Sequence, residues 1–451
     1  MAAERRRGDE VDEREGQGEA SPRSRNYRRR QQREQRPDLS TLTDAALIAR
    51  ARAMVPYVQQ TFENAMRISS LSSLGTGAIM AICAAVGRPD DAVKLLAGIE
   101  VDSAAPSRAM WDLGRQAAAS PSVTKAFDAG VEGVRDRLAA DGGADATAFL
   151  AAFDDFLFQH GARAQNEYDL ISQSWEVRPE IALAAIDLMR RSDADKSPTV
   201  RNAAAVAERN RIADEVRAAL AADAESLGTF EAALGSAKVF LGGRERAKTN
   251  VVTIINEMRV ALREFGRRLV ERGVIDEVEQ LFMVTGTELD PLRHHPETMS
   301  GTIRARWAQY RTLFDREPVF IVNGRVPSLS EMRPRHAGGV EQVGSGTVLK
   351  GAAGSGGTAT GRARVVLDAA DPVGLEPGDV LIAPQTDPSW VPLFVPAAAV
   401  VVNVGAIGSH AMIVSRELGI PCVASVADAT LLIPDGAMVT VDGAAGTVTV
   451  H

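Results

Sequence analysis

The run Val401-Val-Asn-Val-Gly-Ala-Ile-Gly-Ser-His-Ala-Met-Ile-Val-Ser-Arg-Glu-Leu-Gly-Ile-Pro421 decides the fold of the C-terminal part of this chain. A short apolar segment of strand character ends in a glycine-containing turn, and a helix then starts at Ser409 and His410. Unsatisfied backbone N–H groups and the positive end of the helix dipole point outward at such a start. An anion held there is stabilised without further charges. An imidazole at this place can take a phosphoryl group and keep its oxygens near those N–H groups. Ser409 is placed to cap the helix and to donate a second hydrogen bond to a phosphate. Gly405 and Gly408 allow a tight turn and leave room for a bulky phosphoryl donor. Nucleophilic catalysis by a histidine splits one hard transfer into two easier ones. From spacing alone, His410 could equally do no more than cap a helix or line a loop.

Outward from this run, strand-forming residues recur over Ala363–Leu367, Val380–Ala383, Ala399–Val404, Cys422–Ser425, Met438–Asp442 and Thr447–Val450. Helical stretches interrupt them at Trp390–Pro396 and His410–Leu418. Pro377-Gly378-Asp379, Pro434-Asp435-Gly436 and Asp442-Gly443 supply the turns. Together they describe a compact α/β domain over residues 362–451. In front of it, residues 336–361 are dense in Gly, Ser, Ala and Thr. They read as a flexible hinge leading into the start of that domain.

Residues 41–335 carry a different pattern, helical throughout and Ala-rich. Val251, Ile254, Ile255, Met258, Leu262, Phe265 and Leu269 form one apolar stripe on a long helix beginning near Arg244. Further helices are expected over Asp44–Ala65, Pro89–Ala97, Ala146–Gln159, Arg178–Arg191, Ala203–Ala222 and Thr302–Phe314. Gly75 and Gly77 suggest a loop. Residues 1–40 have almost nothing to bury and are expected to be a disordered charged tail. Its basic run from Tyr27 to Arg36 is either a docking segment for an anionic partner or a solvated terminus.

The whole-chain charge of −8 gives no electrostatic pull toward nucleic acid. Cys83 and Cys422 are far apart and outside any metal-spaced cluster, and His294 and His295 are an isolated pair, so no metal site is expected. The N-terminus lacks the apolar core of a signal peptide, and no apolar run long enough to span a bilayer is evident. The default expectation is a cytoplasmic protein that uses neither nucleic acid nor a membrane.

The segment from about Val348 to Val450 resembles the mobile phosphohistidine domain of the PEP-utilising enzymes. Gly405 through Pro421 resembles the histidine signature. Thr386-Asp-Pro-Ser-Trp-Val-Pro-Leu-Phe394 resembles the loop and following helix, Gly361-Arg-Ala-Arg-Val365 the first strand, and Val439-Thr-Val-Asp-Gly443 with Gly446 the closing turn. Ala406 stands where the family often has a second glycine, and Gly408 near a usual Thr. The resemblance implies His410 as the phosphocarrier, a phosphate loop drawing on Ser409, Gly408, Gly405 and Arg416, and a mobile-domain loop of Thr386, Asp387 and Trp390.

Upstream, His160, Arg163, Glu167 and Asp169, with Asn166, Trp175 and Pro179, resemble the helical substrate domain of the rifampin phosphotransferase branch. That implies an acceptor-binding role for His160, Arg163, Glu167 and Asp169. Arg244 and Lys248 match an Arg and Lys that face acceptor and phosphohistidine in that branch. One helical turn puts both on the same face, where they could neutralise charge on a transferring phosphoryl group. Alone, they would read as a solvated face at a helix start. Glu167 and Asp169 are each open to two readings, a general base for a hydroxyl acceptor or an ion-pair partner for Arg163.

No Gly-rich nucleotide loop of Walker type is evident. No ATP-grasp region and no barrel for phosphoenolpyruvate are found either. The expectation is therefore a two-component dikinase with no tightly bound cofactor of its own. ATP and Mg2+ would sit on a separate ATP-grasp subunit. By resemblance to phenylphosphate synthase, the acceptor would be a small hydroxylated molecule of phenolic type. The alternative is a non-catalytic binding or regulatory protein whose mobile domain is phosphorylated.

Overall fold

The computed structural model describes residues 36–99, 102–319, 322–335, 341–371, 374–406 and 409–451. Most of the basic N-terminal run, His336, the first residues of the expected hinge, and Gly408 lie outside them. Residues 36–43 belong to a unit distinct from Asp44–His451. Within that N-terminal unit, Asp38 accepts from the N–H of Ser40 at 2.9 Å and starts a short 3-10 turn.

Helices fill the first part of the larger unit. They are α1 (Asp44–Ala85), α2 (Asp91–Leu95), α3 (Ala105–Ala119), α4 (Pro121–Asp128), α5 (Val134–Asp141), α6 (Ala144–His160), α7 (Pro179–Arg190), α8 (Pro198–Ala219), α9 (Ala224–Glu271), α10 (Leu289–His294) and α11 (Pro296–Thr312). The pair α1 and α9 pack along each other and form the long axis of this region.

Both helices of that pair run further than the sequence suggested. Gly75 and Gly77 lie inside α1 rather than in a loop. The reason at Gly75 is close approach: a Cβ there would sit 3.0 Å from the backbone nitrogen of Ala237 on α9. Ser69, Ser73 and Thr76 return their hydroxyls to the carbonyl one turn back, so these polar residues need no outside partner. As a result α1 is, by length and composition, long and apolar enough to cross a bilayer, contrary to expectation. In this fold its long neighbour is α9. That helix begins at Asp223, whose carboxylate caps the N–H of Ser226 at 3.1 Å, so Arg244 lies mid-helix and not at its start.

The C-terminal domain is an eight-stranded sheet among the described residues. Its strands are β1 (Val348–Lys350), β2 (Ala352–Ser355), β3 (Thr358–Val365), β4 (Val380–Ala383), β5 (Ala399–Val402), β6 (Cys422–Ala424), β7 (Met438–Asp442) and β8 (Thr447–Val450). The order is β1-β8-β7-β3-β4-β5-β6-β2. β3 through β6 are parallel neighbours, and β1, β8, β7 and β2 join antiparallel. β4 and β5 are buried at every residue, as central parallel strands should be. The helices α12 (Val391–Phe394), α13 (His410–Leu418) and α14 (Ala429–Leu432) complete the domain. Residues 348–361, expected to lead from the hinge into the start of the domain, are largely strand. Gly351 fits there because a Cβ would fall 2.4 Å from the carbonyl oxygen of Ala424.

The two regions share one apolar core. α12 packs on α3 and α7, and α13 packs on α8. Met110 and Leu113 of α3, Met189 of α7, and Val391, Phe394 and Met412 of the sheet domain belong to the same buried cluster. This places the start of α13 against the helical region.

Candidate active site

Two turns of chain bring the imidazole of His410 into position. β5 runs into the loop that follows it, and Ser409 sits in extended backbone just before α13. Gly405 is required in that loop, since a Cβ would lie 2.9 Å from the Ala424 side chain and 3.0 Å from Ser409 Oγ. Ser409 holds the capping position but its hydroxyl makes no capping bond, contrary to expectation. Ser409 Oγ is buried and has no hydrogen-bond partner among the described residues.

The ring of His410 is oriented on two sides. Nδ1 lies 3.0 Å from Thr386 Oγ1, and the ring of Phe394 meets it edge-on with centroids 6.0 Å apart. With the proton on Nδ1 donated to Thr386, Nε2 carries the lone pair. Nε2 is buried and has no hydrogen-bond partner among the described residues. Burial pushes the imidazole down to about 3, with the charges of Lys248 and Arg163 acting in the same direction. The ring is therefore neutral and desolvated, and the charges of two cations reach it.

Those cations belong to the helical region and are held by one carboxylate. Glu167 accepts from Arg163 Nη1 at 2.9 Å on Oε1 and faces Lys248 Nζ at 3.4 Å on Oε2. Arg163 also donates to Thr249 Oγ1 at 2.7 Å. Of the two readings open for Glu167, the geometry realises the ion pair. Asp169 is exposed, and its Oδ1 accepts from the N–H of Ile171 at 3.2 Å. It does not pair with Arg163 in the ion pairs described.

Other expected residues fall differently. Arg244 donates to Glu245 at 3.2 Å, and the cations acting on His410 are Lys248 and Arg163. Arg416 lies about one and two-thirds turns beyond His410. Its Nη1 donates to Gly354 O at 3.1 Å, which ties this guanidinium to β2. His160 ends α6 and packs on Phe156 at 5.3 Å. Trp390 is buried at the end of a 3-10 turn that Asp387 caps.

Arg259 was not singled out in the sequence, although it sits on the apolar stripe of α9 one turn from Ile255. It is wholly buried. Nη2 donates at 2.9 Å to the carbonyls of both Glu167 and Asp169, and Arg263 donates to Ile171 O at 2.7 Å. Burial, then the charge of Arg263, pushes the Arg259 guanidinium down to about 10. These two arginines pin the loop that carries Glu167. A charged residue inside an apolar stripe was the available signal.

Beside that loop, an apolar hollow of about 420 Å³ is lined by Val55, Tyr168, Asp169, Met258, Leu262 and Phe282, among others. It adjoins a second of about 350 Å³ that shares Val55 and Met258 and reaches Phe62. Phe62 and Tyr168 meet edge to face with centroids 6.3 Å apart.

Comparison with known families agrees with both halves of the molecule. Residues 64–245 match the rifampicin phosphotransferase fourth domain, and residues 375–446 match the PEP-utilising enzyme mobile domain. A rifampicin phosphotransferase of a Streptomyces species is 33% identical over 337 residues, covering 71% of this chain and 37% of that protein. An uncharacterised protein of Mycobacterium tuberculosis is 38% identical over 207 residues, covering 46% of this chain and 23% of that protein. A prodigiosin-synthesising transferase of Serratia marcescens is 29% identical over 316 residues, covering 66% of this chain and 33% of that protein. The chain thus spans between 23% and 37% of the length of these relatives.

Proposed function

We propose that this chain, a member of the PEP-utilising enzymes through its mobile domain, is the phosphohistidine-carrying part of a dikinase-type phosphotransferase. His410 Nε2 takes a phosphoryl group and passes it to a hydroxyl held by the helical region. In the second transfer the Nε2–P bond breaks and an O–P bond forms. The acceptor's proton leaves to a base or to solvent, and the imidazole returns to its neutral state. Lys248 and Arg163 would neutralise the charge on the transferring oxygens, and Ser409 would donate to one of them. The observation that carries this reading is the buried, unpartnered Nε2 facing two cations of the other domain.

The donor in this reading is ATP, with Mg2+, on a separate ATP-grasp subunit. The acceptor is a small hydroxylated molecule of phenolic type. Supporting it is the apolar hollow beside Tyr168 and Asp169, whose carboxylate is exposed and so available as a base.

The test is intact-mass analysis after incubation with potassium phosphoramidate, with ATP alone, and with ATP plus candidate ATP-grasp partners. The expected result is one acid-labile phosphoryl group from phosphoramidate or from ATP with the partner. His410→Ala should lose that group. An acid-labile phosphate retained by His410→Ala would move the carrier role elsewhere. Phosphorylated product made from ATP by this chain alone would end the two-component scheme.

A further inference from the structure

Asp387 uses its two carboxylate oxygens for two different jobs. Oδ1 accepts from Ser389 N–H at 2.9 Å and from Ser389 Oγ at 2.6 Å, which caps the 3-10 turn inside the mobile domain. Oδ2 accepts from the backbone N–H of Asn166 at 3.2 Å, across the boundary to the helical region and 221 residues away in sequence.

The donor on the other side is built for presentation. Asn166 stands in left-handed backbone with φ of 53°. Asparagine tolerates that region better than most residues. Asp169 N–H and Ser172 Oγ donate to the Asn166 carbonyl at 2.8 Å and 3.2 Å, closing the turn. Arg259 and Arg263 fix the same loop to α9 from beneath.

The neighbours of this contact are the reacting groups. The residue before Asp387 is Thr386, which holds His410 Nδ1. The residue after Asn166 is Glu167, which holds Arg163 and Lys248. A single peptide step on either side therefore ties the Asp387–Asn166 hydrogen bond to the nucleophile and to the cations. Partial burial pushes the Asp387 carboxyl up.

We propose that Asp387 is a docking latch: a positioning residue that seats the mobile domain on the Asn166 turn in the register needed for transfer from His410, and that is not needed for charging His410. The docking half of this inference stands on geometry, and its part in transfer rests on the carrier reading above.

Carbethoxylation of His410 by diethyl pyrocarbonate, followed peptide by peptide in the full chain at pH 7.5, tests it. In the docked state Nε2 is buried, so the reaction should be slow. Asp387→Asn is the cleanest variant. Its single carbonyl oxygen can keep the Ser389 cap, which leaves an NH2 donor facing the Asn166 N–H. His410 should then react at least tenfold faster, with exposed His294 and His295 unchanged as internal references. Asn166→Val, which strains the left-handed turn from the other domain, should behave the same way. Asn166→Gly keeps both the N–H and the backbone geometry and should match wild type. Ser389→Ala removes only the intradomain hydroxyl contact and should also match wild type. Wild-type reactivity in Asp387→Asn would overturn the latch, as would an equal acceleration in Ser389→Ala. Phosphoramidate charging separates the two readings. Asp387→Asn should charge at least as fast as wild type, and slower charging would overturn the latch as a docking device. A wild-type chain that refuses phosphate at His410 would sink the carrier role while leaving the docking result readable.

Discussion

The two faces of the proposed transfer site solve opposite problems. On the mobile-domain face the reacting group is neutral, stripped of water, and held by one hydroxyl and one aromatic edge. On the helical face everything is charged, and Arg163, Lys248 and Glu167 are cross-paired before any phosphate arrives. The first face makes a lone pair available by leaving Nε2 without a partner among the described residues. The second supplies positive charge in a dry place by keeping a carboxylate beside it. The pairing is uneven, since Arg163 is buried with Glu167 while Lys248 is longer-ranged and 28% exposed. Lys248 is thus the cation freer to move, and in the proposed transfer it would be the one to turn toward a phosphoryl oxygen.

Removing the carboxylate should break this contrast most severely. Glu167→Gln leaves two cations without their counter-ion, one of them buried. Breaking a buried pair from one side costs about 3–5 kcal/mol. Denaturant melts of the full chain should show a loss of that order, and a change within about 0.5 kcal/mol would mean the cations are stabilised by something else.

The next effect is on pH. Burial, with the charges of Lys248 and Arg163, holds the docked His410 imidazole at about 3 against an ordinary 6.5. Between those values the undocked ring takes a proton and the docked ring does not. Docking should therefore weaken as pH falls below 6.5 and be insensitive to this group above it. Energy transfer between labels on the two domains reads the effect. Subtracting His410→Ala isolates the histidine, which is necessary because two carboxyls respond in the opposite sense. Burial raises Asp387, and it pushes Glu417, which also feels Glu245, up to about 7. In Lys248→Met the histidine's pH window should narrow, because one of the two cations acting on the ring is gone.

The smallest effect belongs to Thr386→Val. It removes the Nδ1 partner at a cost of about 1 kcal/mol and frees the ring's tautomer. Nitrogen NMR of the imidazole should show the Nδ1–H form losing population, with phosphoramidate charging slowed severalfold. An unchanged tautomer ratio would mean that the helix start, and not Thr386, orients the ring.

The sequence was most legible where elements are short and bounded by turn residues. The spans of β4, β7, β8 and α13 coincide with the expected ones, because Pro-Gly-Asp, Pro-Asp-Gly and Asp-Gly turns bound the strands and the glycine turn precedes the helix. The α1 and α9 pair was less legible. A glycine such as Gly75 signals a break when read locally, yet here it permits two helices to approach closely. The site follows the same division. His410 and Thr386 lie within reach of one local pattern. Which cations face the histidine depends on how one domain seats on the other, and no local spacing could favour Arg163 over Arg244. Arg259 was hidden for a related reason: its role is to hold backbone carbonyls of a loop 90 and 92 positions away in sequence.

The shared apolar core has a consequence for timing. Val391, Leu393 and Phe394 are at most 4% exposed, with α12 packed on α3 and α7. A mobile domain that lifted away would hand that short apolar helix to water, at roughly 25 cal/mol for each Å² uncovered. Free diffusion on a tether is then not a resting condition for such a domain. In the proposed two-component scheme its travel would become an exchange between two seats, and the charging site would have to offer α12 an apolar cradle as well as a phosphoryl group. The slow step of a full cycle would be the release of an apolar surface, set by grip rather than by bond-making.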